Sequence, residues 1–73
     1  MYKTGDEVYI RQGYGYTDHT DGIERFRRAD HEVHGFITAI GARQQVFVTL
    51  DDGHSIVTGA HCIRPAQEIK PNG

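Results

Sequence analysis

Asp51 and Asp52, side by side before Gly53, are the residue types that general acid–base chemistry would need if both carboxylates could face one bond. Adjacent residues on an extended chain point to opposite sides, so the spacing works against that chemistry. Asp-Asp-Gly is instead a turn: two side-chain acceptors followed by a residue free to take positive φ. His61 beside Cys62 names the partners of a thiol–imidazole dyad, but such a pair must approach through the fold, and Cys62 next to Ile63 reads as packing. Asp30, His31 and His34 offer oxygen and nitrogen donors for Zn²⁺, with His19, His54 and His61 available to complete a set. Their spacing is no metal motif, and solvent-facing or packed histidines are expected. Ser55 and Thr58 stand in neither a nucleophile elbow nor a phosphate-cradling loop. The sequence therefore predicts no enzyme, no catalytic residue, no metal and no cofactor.

Recognition is better represented. Tyr14 and Tyr16 sit among Gly13, Gly15, Thr17, Asp18 and His19, where glycines permit close turns and two phenols could cover an apolar partner and donate hydrogen bonds at its edge. Arg25, Arg27 and Arg28 form a compact basic group whose planar donors suit carboxylate or phosphate. Glu24, Asp30 and Glu32 interrupt it, which favours local surface ion pairs over contact with a partner. Phe47 adds aromatic surface from a separate run. The expected partner-binding set is Tyr14, Tyr16, Asp18, Arg25, Arg27, Arg28 and Phe47.

The elements that must position these residues are short strands. In "YKTGDEVYIRQG", Val8 and Ile10 alternate with Glu7, Tyr9 and Arg11, one face inward and the other outward. Residues 12–33 are too long for a tight hairpin and too charged for a central strand. A helical turn through Ile23, Phe26 and Arg27, or an ordered loop, is expected there. "HGFITAIG" gives a second strand whose Ile37, Ala39 and Ile40 break alternation and call for a bulge. Gly41-Ala42-Arg43 turns the chain into "QQVFVTL", the acidic turn leads to "HSIVT", and "GAHCIRPA" reads as a helical turn into a last short strand. The expected core is Val8, Ile10, Ile37, Ile40, Val46, Val48, Leu50, Ile56 or Val57, and Ile63. Five such strands in residues 1–65 predict an all-β fold, a small, partly open SH3-like barrel with a long insertion between its first two strands, followed by a tail at 66–73.

"GDEVYIRQG", "HGFITAI" and "VFVTLDDGHSIVTGAHCIRP" together resemble the KOW, Tudor and other SH3-like small-barrel families over residues 5–65. The likeness lies in the glycine, acidic residue and alternating strand of the first segment, in Gly35 and Ile37 of the second, and in the apolar-basic-proline exit Ile63-Arg64-Pro65. It implies a barrel that binds peptides, methylated cations or nucleic acid, with Tyr14, Tyr16 and Phe47 as aromatic surface and Asp18 drawing a basic group. The long insertion departs from a compact KOW pattern.

Charge narrows the choice. The 73 residues carry a net charge of −2, so broad attraction to nucleic acid is not expected. Residues 1–32 hold seven acidic and five basic side chains and residues 33–73 three of each, so neither half is strongly basic. No run approaches the roughly 20 apolar residues needed to span a bilayer, and no long apolar h-region follows Met1. One cysteine allows no internal disulfide. The sequence thus predicts a cytoplasmic protein-binding adaptor or regulator. The alternatives are an RNA- or DNA-binding module and a structural module that forms homo-oligomers.

Overall fold

Val8 and Ile10 are fully buried while Glu7 and Tyr9 are partly exposed, and this alternation makes the first strand, β1 (Glu7–Ile10). The computed structural model describes residues 1–66; beyond Ala66 the expected tail lies outside the described residues. The expected bulged strand is β4 (Val33–Ile40), whose register against β5 (Gln45–Leu50) slips between Ile37 and Ala39. Asp51-Asp52-Gly53 reverses the chain into β6 (Ser55–Gly59), with Gly53 at φ +93° as a turn glycine should be. A 3-10 turn (Ala60–Cys62) then leads to the short β7 (Ile63–Pro65).

The insertion departs from expectation. Residues read as a helical turn or loop form two strands, β2 (Gly15–Asp18) and β3 (Arg25–Arg28), paired antiparallel as a hairpin. β2 in turn pairs with β6 through Thr17–Val57 and Asp18–Ile56. Ile23 and Phe26, the apolar residues of the supposed helical face, are both exposed.

These two strands overturn the barrel. Among the described residues the sheet has seven strands in the order β3-β2-β6-β5-β4-β1-β7, and it is open, its end strands β3 and β7 unpaired with one another. The five-stranded SH3-like barrel, and with it the likeness to KOW and Tudor architectures, is therefore corrected to an all-β fold built on one open sheet. The physical reason is edge occupancy. The β2–β3 hairpin takes the outer edge of β6, and its backbone groups are satisfied by extension of the sheet instead of closure.

The core lies on one face. Val8, Ile10, Ile37, Val46, Val48, Leu50, Ile56 and Ile63 pack there with Ala29, and Tyr2, Tyr16, Val33 and Ala60 lie against them. Ile56, not Val57, is the inward residue of β6. Ile40, expected in the core, is 45% exposed although its partner Val46 is buried, because it is the terminal residue of β4. Gly35 makes close packing possible: a Cβ there would sit 2.7 Å from the Thr49 carbonyl oxygen and 2.7 Å from Val48 Cγ1. The opposite, outer face carries Glu7, Tyr9, His34, Phe36, Phe47, Thr49, Thr17 and Val57. Among the described residues no helix is long and apolar enough to cross a membrane.

Candidate functional site

β2 and β3 owe their position to Asp18, the last residue of β2. Its carboxylate is buried and accepts from the Thr20 hydroxyl at 2.6 Å, the Thr20 amide at 3.0 Å and His54 Nδ1 at 2.6 Å, with Arg27 Nε 3.6 Å away. The Thr20 hydroxyl bond, then the His54 bond, holds this carboxyl well below the usual carboxylate range. His54 is shifted the other way, its pKa raised first by the Asp18 hydrogen bond and then by the charge of Asp52. Thr20 Oγ1 also accepts the Ser55 amide at 2.9 Å. The hairpin is thus clasped to the β5–β6 turn by a polar cluster. Asp18, expected to meet a partner, is engaged internally.

Beside this clasp the outer face is hollowed. An open groove of about 500 Å³ runs over β2 and β6, with Gly15, Thr17, Val57 and Gly59 along its floor. Phe26 of β3 stands at one side, and Ala42 and Arg43 of the 3-10 turn Ala42–Gln44 stand at the other. Two intervening strands make the span from β3 to β5 roughly 14 Å at the usual strand spacing. Glycine at 15 is required for this shape: a Cβ there would lie 2.4 Å from Phe26 Cζ, so the ring rests directly over bare backbone. Phe26 is nonetheless 73% exposed.

Arg43 is held unusually. It has φ +59° and ψ +40°, and Gln44 follows at φ +63°, so two successive non-glycine residues occupy the left-handed region. Such conformations cost on the order of 1 kcal/mol or more each and cluster at ligand clamps. Arg43 makes no hydrogen bond or ion pair among the described residues, so its guanidinium is displayed at the groove rim without an internal acceptor.

Most of the residues selected from sequence are placed elsewhere. Tyr14 meets His61 edge-on at 6.3 Å and lies under the Arg11 guanidinium at 5.0 Å. Tyr16 packs against the core and lines the groove, its phenol pKa raised chiefly by burial. Phe47 lies on the outer face with His19 edge-on at 6.3 Å. Since Tyr16 shares the face of buried Asp18, and Phe47 the opposite one, these rings form no cage. Arg25 pairs with Asp21 at 3.3 Å, Arg27 approaches Asp18, and Arg28 donates to the Gly13 carbonyl at 2.9 Å. Of the seven, only Tyr16 lines the groove. Phe26 and Arg43 line the groove but were not among the residues selected from sequence; the available signals were an aromatic within a run of arginines and an arginine in a glycine-led turn.

The outer face holds a second polar cluster near β1. His34 sits between two carboxylates, Nε2 2.6 Å from Glu7 and Nδ1 2.8 Å from Asp51. The Asp51 bond, then the Glu7 bond, raises its pKa. Tyr9 and Phe36 pack edge-on against its ring at 5.1 and 5.4 Å, and Arg64 lies over Tyr9 while pairing with Glu32. This arrangement stitches β1, β4 and the β5–β6 turn together. The supposed paired acids are divided between the two clusters: Asp51 meets His34, and Asp52 accepts the His54 amide at 3.0 Å across the turn. Cys62 is a buried free thiol 3.5 Å from His61 Nε2. Among the described residues no group of three or more His, Cys, Asp or Glu side chains is placed to hold a metal ion.

Together the fold and the groove define a small all-β domain with one hollowed sheet face. Comparison with family models, with curated proteins and with solved structures returned no match.

Proposed function

We propose that this protein is a small protein-binding module whose outer-face groove takes a segment of a partner protein. The observation that carries the reading is the pairing of Phe26 and Arg43 across the groove: an exposed aromatic resting on glycine, opposite an arginine without an acceptor among the described residues. Aromatic and arginine side chains are the usual anchors of protein interfaces, one contributing apolar area and the other a planar donor for carboxylate. The strained backbone at Arg43 and Gln44 fits a residue held in place for contact. Charge supports a partner protein over a general polyanion, because the net charge is −2.

Selection of a displayed random-peptide library on the purified protein tests the reading. The wild type is expected to enrich a consensus, and a synthetic consensus peptide to shift the amide resonances of Thr17, Val57 and Arg43. Phe26→Ala is expected to weaken that peptide by about 2 kcal/mol, roughly 30-fold, with an unchanged amide spectrum elsewhere. A consensus bound equally well by Phe26→Ala and Arg43→Ala would defeat the reading.

A further inference from the structure

We infer, resting on the protein-binding reading above, that an acidic segment of the partner is added antiparallel along the free edge of β3. Among the described residues β3 ends the sheet and pairs only with β2. In an antiparallel pair, hydrogen-bonded and non-hydrogen-bonded positions alternate. The Ala29 amide donates to the Tyr14 carbonyl at 2.9 Å, so the pairs two and four residues along, Tyr16–Arg27 and Asp18–Arg25, face each other. The N–H and C=O groups of Phe26 and Arg28 are thereby directed away from β2, as a ladder ready for another strand.

The other end of the sheet is a poorer template. β7 has three residues and ends in Pro65, which has no N–H. β3 has four, all exposed, and three are arginines. Charge then chooses the occupant. A second copy paired antiparallel in symmetric register would set Arg25 against Arg28, a like-charge contact directly across the strands. An acidic segment reverses the sign of every such contact.

Alternation also assigns the side chains. A residue opposite Phe26 projects to the outer face beside the groove, where an apolar side chain meets the exposed ring; its neighbours lie opposite Arg25, Arg27 and Arg28. Read in the direction of the added strand, the segment is acid, acid, apolar, acid.

The test uses a capped peptide with the central sequence Glu-Glu-Val-Glu and two versions of it, one N-methylated at Val and one at the following Glu. The Val N–H faces β3 in this pairing and the following N–H faces away. The parent is expected to slow hydrogen exchange at the Phe26 and Arg28 amides. N-methylation at Val is expected to weaken binding about tenfold or more, and methylation at the next Glu to leave it within about twofold. Replacing the three Glu by Lys is expected to abolish binding. Equal binding of both methylated peptides, or binding that shifts Arg43 and Val57 without protecting Phe26 and Arg28, would overturn strand addition while leaving the groove reading intact. No response to the parent at millimolar concentration would also overturn it, and the library selection would still judge the groove independently.

Discussion

Replacing Asp18 with Ala removes the acceptor on which the hairpin clasp converges. Three hydrogen bonds end on this buried carboxylate, from the Thr20 hydroxyl, the Thr20 amide and His54. Hydrogen bonds to a charged group contribute about 1.5–3 kcal/mol each. The donors lie near the surface, with the His54 side chain 45% exposed, and they recover water when released. A net loss of about 3 kcal/mol follows, a fall in Tm of roughly 12–24 °C for a domain of this size. Urea unfolding of both proteins measures it, and hydrogen exchange should show the loss first in β2 and β3. The pH dependence supplies an internal check. Asp18 has a depressed folded pKa, so its contribution is full above the unfolded value near 4 and is lost as pH falls through a folded value well below that. His54 has a raised one, so its charged pairing is full below about 6.5 and is lost as pH rises through the folded value. The gap between wild type and Asp18→Ala should therefore be widest between about pH 5 and 6.5. A stability loss below about 1 kcal/mol, or a gap indifferent to pH, would refute the clasp.

Other substitutions test the remaining packing. Val48→Asp should destabilise by about 3 kcal/mol or more in urea unfolding, because it buries an unpaired charge among Ile37, Ile56 and Leu50. Gly35→Ala should lose roughly 1–3 kcal/mol by the same measurement, since the added methyl meets the Thr49 backbone oxygen. Gly15→Ala should change stability by less than about 1 kcal/mol, because only the tip of the Phe26 ring must move, yet it should weaken a groove-binding peptide, as isothermal titration would show. His34→Phe should reduce the pH dependence: the raised His34 pKa means wild-type stability falls as pH rises from about 6.5 through the folded value, and the variant should lose that part of the fall in urea midpoints.

Where burial left a period, the strands were legible. Val8 and Ile10 marked β1, Val46, Val48 and Leu50 marked β5, and the broken spacing at Ile37 and Ala39 marked the bulge. Glycine and aspartate chemistry identified the turn at Gly53. β3 left no such trace, because all four of its residues are exposed and neither face demands apolar side chains. Missing that strand turned an extended sheet into an imagined barrel. The clasps were hidden for a different reason: Asp18 meets His54, and His34 meets Glu7, only through strand register, which residue type and spacing do not encode. The candidate site was half visible. An aromatic and basic insertion was singled out as unusual, but Phe26 was read as packing, and Arg43 lay in a turn read as a simple connection.

The place of β1 in the sheet governs how the chain reaches this structure. β1 lies between β4 and β7, so it has one partner arriving some two dozen residues later in the chain and the other only at Ile63–Pro65. Tyr2 closes the same circuit through the Ile63 carbonyl. The chain through Pro65 must emerge before β1 has both neighbours, and the transition state must close large loops. Folding on the millisecond-to-second scale of non-local β proteins follows. A chain ending at Gly59 would leave an edge of β1 bare and Val8 and Ile10 without Ile63, making an incomplete translation product a substrate for proteolysis.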